Sequence, residues 1–185
     1  MAARRSRLQN VAALEAPVRK VVAVMQKDEF RTTWVANKAI YRTRMAMADG
    51  GELLVIAPGV ERFGEQTEVD ALIRKYGYCG TERVLQLYRQ NLDLQDLAHG
   101  AAHLIHGSSE GRFMITYAPG GLTRSEIEGV HYQFADLDEV LNRYSPARMH
   151  EGVNTLPDGE EIFFIGAPSA GLWATRERLF ALGDA

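Results

Sequence analysis

Cysteine occurs once in these 185 residues, at Cys79. That excludes an internal disulfide and a zinc cluster built from Cys pairs. Packing alone must hold the fold, and a reducing cytoplasm is the expected compartment. Long apolar runs are absent too: none approaches the ~20 residues of a membrane helix, so no membrane partner is expected. Excess charge is small, with 21 Lys+Arg against 24 Asp+Glu and a net charge of −3. No strong field recruits nucleic acid. The amino terminus carries Arg4, Arg5 and Arg7 with no acid before Glu15, but lacks the apolar stretch of a secretory signal. Residues 1–16 read as a flexible tail ended by Pro17, because proline pushes its predecessor out of the helical region. Cys79 sits in Tyr-Gly-Tyr-Cys-Gly with no base beside it, a poor setting for a nucleophile.

What is present is a core. With 46% hydrophobic residues, a chain of this length buries ~70% of its unfolded surface and predicts one domain over residues 17–185. Val18–Met25, Leu53–Ala57, Arg112–Tyr117 and Ile162–Ile165 are nearly continuous apolar runs, as strands covered on both faces should be. Between them lie helical stretches. One runs from an Asp28 cap with Phe30, Trp34, Tyr41, Met45 and Ala48 on a single stripe, stopped by Asp49-Gly50-Gly51. Others cover Glu65–Tyr76 with Gly77 at its end, a helix from Thr81 that Asn91 and Asp93 either interrupt or follow with a next one ending at Gly107, a short helix from Arg124 behind a Thr123/Glu126 capping box, Leu137–Tyr144, and Leu172–Leu182. Strands alternating with helices predict a three-layer α/β domain with a mostly parallel sheet of four or more strands.

Ligands of such sheets sit beyond the carboxyl ends of the strands, here Gln26–Glu29, Pro58–Gly64, Ala118–Thr123 and Gly166–Ala170. None of these segments matches a dinucleotide fingerprint or a phosphate loop. Three other groups carry chemistry. His99, His103 and His106 fall within ~60° of one helical face, beside Gln95 and Asp96 and roughly opposite Leu97 and Leu104. They form either a weak metal face or a polar, partly exposed one; the Glu of the usual helical zinc motif is missing, since Gly100 follows His99. His106-Gly-Ser-Ser-Glu-Gly-Arg112 is either an anion site, built from His106, Ser108, Ser109 and Arg112, or a tight connection whose serines satisfy the backbone. Asn37 and Lys38 lie at the rims of the aromatic stripe. Lys38 either holds a substrate carboxylate or covers Trp34 with its methylenes.

Several segments together resemble one family: Asn37-Lys-Ala-Ile-Tyr-Arg-Thr-Arg-Met45, Ala48-Asp-Gly-Gly-Glu52, Ile56-Ala-Pro-Gly59, Phe63-Gly-Glu65, Ile73-Arg-Lys-Tyr-Gly77, Ala102-His-Leu-Ile-His-Gly-Ser-Ser-Glu-Gly-Arg-Phe113, Pro157-Asp-Gly-Glu-Glu161 and Gly171-Leu-Trp173. The chain resembles the carboxyl-terminal half of nickel-dependent lactate racemases, in the broader branch of that family. The resemblance implies inversion of a 2-hydroxy acid by hydride transfer to and from a nickel-pincer nucleotide. It places the cofactor-holding lysine and the nickel-ligating and proton-shuttling histidines in the amino-terminal half. This chain alone is expected to hold no cofactor and no metal, and to work with an amino-terminal-half partner. On the same resemblance Lys38 is the catalytic-site lysine that faces substrate, with Asn37 and Trp34 beside it. Val35 stands where the racemase has a glutamine, which turns the expected substrate away from lactate itself. The competing expectation is a non-catalytic module that binds a carboxylate or docks a subunit.

Overall fold

The computed structural model describes residues 11–181; Met1–Asn10 and the end of the expected closing helix at Leu182 lie outside them. Among the described residues there are eight strands: β1 Ala12–Leu14, β2 Val18–Val24, β3 Met47–Ala57, β4 Met114–Pro119, β5 Gln133–Phe134, β6 Gly152–Thr155, β7 Glu161–Ile165 and β8 Trp173–Thr175. The helices are α1 Thr33–Ala36, α2 Lys38–Thr43, α3 Thr67–Tyr76, α4 Thr81–Gln90, α5 Leu92–Asp96, α6 Ala98–His106, α7 Arg124–Gly129, α8 Leu137–Arg143 and α9 Arg176–Ala181.

Six strands form one sheet in the order β5-β4-β3-β2-β7-β6, every pair parallel except β6–β7. This is the α/β sheet that the alternating pattern predicts. The chain winds outward from β2 to β5, then crosses to the far edge for β6 and β7, so the winding reverses between β2 and β7. Continuous apolar strands serve two cores here. Val21, Ala23, Leu53, Val55, Ile115 and Tyr117 face one core, under helices that include α1–α4 and α6. Val22, Leu54, Ile56, Ile162 and Phe164 face a second, covered by Val140 and Tyr144 at α8. Removing such residues from water at ~25 cal/mol per Å² of apolar surface is what favours the layered arrangement.

Local signals explain most boundaries. In α3, Val69, Leu72 and Ile73 are buried, and Gly77 closes the helix at φ 64°. The Thr123/Glu126 capping box forms at α7, and the Asp136 carboxylate accepts from the N–H groups of Asp138 and Glu139 at α8.

Three expectations are corrected. The stripe from Phe30 to Ala48 is not one helix: it breaks at Asn37, and Met47–Gly51 belong to β3. The Val18 N–H donates to the Ala46 carbonyl, and Gly51 packs against the Arg19 carbonyl with no space for a Cβ, so pairing to β2 extends the strand back over Asp49-Gly50-Gly51. Next, Ala12–Leu14, expected in a tail, pair in parallel with Trp173–Thr175. Because β8 occupies the start of the expected closing helix, α9 begins only at Arg176. Last, the stretch after Asn91 is two helices, α5 and α6, parted at Leu97.

Candidate functional site

The α1–α2 break places the residues of most interest. Asn37 ends α1 and starts α2 with φ −65° and ψ 0°. It is fully buried and not at a rim, and its Nδ2 donates to the Tyr132 hydroxyl at 3.1 Å. That inward bond removes Asn37 from any surface that meets substrate. Lys38, the next residue, is partly exposed. Its Nζ lies 5.7 Å from the Phe30 ring centroid, and it forms no ion pair or hydrogen bond among the described residues. The ring beneath the cation is thus Phe30; Trp34 packs instead against His103 at 4.4 Å and His99 at 5.9 Å between centroids.

The three histidines part company. His103 is 6% exposed, and burial, with His106 nearby, pushes its pKa down to about 3. Its Nε2 lies 3.0 Å from the Tyr78 hydroxyl. His99 and His106 are exposed. The expected shared polar face is therefore corrected at its centre, because the helix turns His103 into the core against Trp34 and Tyr78.

The anion site expected from His106, Ser108, Ser109 and Arg112 is not assembled, for these residues line different surfaces. Arg112 is committed: Nε donates to Asp49 at 2.8 Å, Nη1 to the Arg44 carbonyl at 3.1 Å and Nη2 to the Met47 carbonyl at 3.0 Å. Ser108 is buried, its N–H donates to the Ile105 carbonyl, and its Oγ accepts from the Glu110 N–H. The anion present is the protein's own, since the Glu110 carboxylate accepts from the Thr81 N–H at 3.0 Å and the Thr81 hydroxyl at 2.8 Å at the start of α4. Ser108, Ser109 and Glu110 line a groove of about 660 Å³ with Cys79 and Arg83. Burial pushes the Cys79 thiol pKa up, which keeps it protonated and poorly nucleophilic.

Sequence reasoning missed an aromatic and hydroxyl cluster beneath α1–α2. Tyr78 stacks on Tyr132 at 4.5 Å, and Tyr132 on Tyr117 at 5.5 Å. Burial raises the pKa of all three phenols, so they act as neutral hydroxyls. Their strand and loop positions carry no shared sequence period that could have announced them. A second unforeseen cluster lies at the amino end of the sheet, where Lys20 reaches Glu52 at 3.0 Å and Glu160 at 2.8 Å. Burial opposes the charge on Lys20, but hydrogen bonds to Glu160, Tyr144 and Glu52 outweigh it and hold the pKa above its usual value.

At the carboxyl ends of the strands the loops lock together. A Cβ on Gly120 would strike the Pro58 carbonyl, and one on Gly121 would come 2.7 Å from the Glu61 Cβ. Arg31 and Glu61 pair at 3.6 Å. Gly59 packs against the Lys27 and Phe30 carbonyls, which joins this region to the loop that carries Phe30.

The fold and this surface define a doubly wound α/β domain with a partly exposed lysine beside an aromatic ring. No family profile and no curated protein matches the chain. Solved structures do. A Thermotoga maritima protein from a structural-genomics consortium has a TM-score of 0.69 at 20% identity, over 95% of this chain and 41% of its own. The lactate racemase apoprotein of Thermoanaerobacterium thermosaccharolyticum has a TM-score of 0.56 at 12% identity, over 88% of this chain and 37% of its own. The fold therefore resembles part of lactate racemase, and the chain spans about two fifths of the length of each match. Among the described residues no helix is long and apolar enough to cross a membrane.

Among the described residues no three His, Cys, Asp or Glu side chains converge as metal ligands, and His103 spends Nε2 on Tyr78. Calorimetric titration of the chain with nickel is expected to show no submicromolar binding. Submicromolar affinity that vanishes in His103→Ala would reverse this conclusion.

Proposed function

We propose that the chain is the carboxyl-terminal domain of a lactate racemase-like, nickel-pincer-nucleotide-dependent 2-hydroxy-acid racemase or epimerase, inactive without an amino-terminal half. The observation that carries it is the structural similarity to lactate racemase over 88% of this chain. In this reading the amino-terminal half holds the cofactor and performs the hydride chemistry. The present chain contributes Lys38, which meets the substrate carboxylate, with Trp34 bounding the neighbouring surface.

The local physics supports that role for Lys38. Its ammonium has no anionic partner among the described residues, and it stands over the Phe30 ring. A carboxylate delivered there gains a charge-assisted hydrogen bond of ~1.5–3 kcal/mol, a change of roughly 10- to 150-fold in affinity. Lys38→Met keeps the methylene stem over the ring. In the enzyme reconstituted with its amino-terminal half, this substitution is expected to lower kcat/KM for 2-hydroxy acids by that factor and leave the melting temperature nearly constant. An unaltered kcat/KM would remove the assignment. Native mass spectrometry of the protein from its source tests the partnership; a chain that carries neither a partner nor nickel would favour the non-catalytic module.

A further inference from the structure

Three buried contacts fix the position of the His103 proton. Thr33 Oγ1 donates to the Phe63 carbonyl at 3.0 Å and lies 2.8 Å from the Tyr78 hydroxyl. That hydroxyl lies 3.0 Å from His103 Nε2. A carbonyl can only accept, so it takes the single Thr33 proton. Tyr78 must then donate to Thr33, and His103 must donate from Nε2 to Tyr78. Any other assignment leaves one contact without a proton. The lone pair of His103 is thus on Nδ1. That atom has no hydrogen-bond partner among the described residues and is not among the polar atoms sealed from solvent. With Trp34, Tyr41, His99, Ala102 and His106, the imidazole lines a groove of about 490 Å³ between α1–α2 and α6.

We infer that this groove binds a small neutral aromatic bearing an O–H or N–H donor, a phenol being the simplest, with its ring against Trp34 and Tyr41 and its donor on His103 Nδ1. The site shares Trp34 with the surface beside Lys38 but does not include the lysine, and its donor contact on His103 does not depend on the racemase reading. The lining selects the ligand class. Trp34, Tyr41 and the Ala102 methyl offer flat apolar surface, which suits a ring. No carboxylate, lysine or arginine lines the groove, so a charged ligand would lose hydration without a counter-ion. Burial keeps His103 neutral at physiological pH, its pKa being about 3, so Nδ1 stays an acceptor. A ligand of the same shape without a donor would leave that acceptor unpaired.

Titration of the ¹⁵N-labelled chain with 4-methylphenol and with 4-methylanisole, which lacks the donor, tests the inference by NMR. The unliganded spectrum is expected to show a proton on Nε2 and none on Nδ1 of His103. The phenol should shift the Nδ1 and Trp34 resonances and bind ~5-fold more tightly than the anisole, the ratio for about one neutral hydrogen bond. Ala102→Trp, which fills the groove from an exposed position, should abolish binding of both. His103→Phe should abolish the preference for the phenol. A proton on Nδ1, equal affinities, or phenol binding that survives Ala102→Trp would overturn the site. Should His103→Phe fail to fold, the first three measurements decide alone.

Discussion

Acidification from pH 7 to pH 4.5 is expected to destabilise the protein by about 2.5 kcal/mol through His103 alone. The folded-state pKa is about 3, against ~6.5 for an unfolded histidine. Well above pH 6.5 both states are neutral and the group has no effect. As the pH falls below 6.5 the unfolded chain takes up the proton and the folded chain does not, so stability falls continuously toward pH 3. The 6% exposure of the residue leaves little solvent to screen this cost. Carboxylates such as Asp70 act lower on the scale. Burial opposes ionisation of Asp70, but hydrogen bonds from Arg74, Gly64 and Phe63 outweigh it and depress its pKa, so its contribution is lost only below the ordinary carboxylate range. The interval from pH 6.5 to 4.5 is therefore dominated by the histidine, with Glu126 and Glu160, also held below their usual pKa, adding a smaller loss near its acid end. Thermal melts across it should drop by roughly 5–10 °C at this chain length. His103→Phe should flatten that slope. An equal slope in the variant would show that another group governs the acid response.

Gly59→Ala is expected to cost about 3 kcal/mol, the upper end for overpacking. A Cβ at Gly59 would fall inside the Lys27 carbonyl and come 2.7 Å from the Phe30 carbonyl. Both obstacles are backbone atoms, which cannot rotate away as a side-chain end can. They belong to the loop that carries Phe30, the ring under Lys38, so the strain should also displace the proposed substrate lysine. Gly129→Ala is the matched control. It ends α7, and its Cβ would meet nothing within 4 Å, so a change near zero or slightly stabilising is expected. Urea unfolding of both variants measures the contrast. A Gly59→Ala protein as stable as Gly129→Ala would mean that the two loops are not packed as described.

The resemblance pointed to Lys38, and the structure puts that residue on the surface, at a helix start, with no competing anion among the described residues. It could not have shown that Asn37, its neighbour in sequence, is sealed inside against Tyr132. Helical periodicity distinguishes one face from another only while the helix continues. Once the backbone breaks at residue 37, angular positions on either side no longer refer to one axis. The same limit explains His103. Spacing placed it with His99 and His106, but packing of α6 against Trp34 and Tyr78 decided which of the three turned inward.

By itself, then, the sequence determined the layered α/β class, four of the eight strands found, most of the helices, and the caps at α3 and α7, because these rest on apolar runs and on contacts a few residues apart. Only the tertiary structure decided that Met47–Gly51 joins the sheet, that Ala12–Leu14 pairs with Trp173–Thr175, that Arg112 is spent on Asp49 and two carbonyls, and that Tyr78 links Thr33 to His103. Each of these depends on partners at least 25 residues away along the chain. Such pairings satisfy buried donors and acceptors that no local pattern reveals.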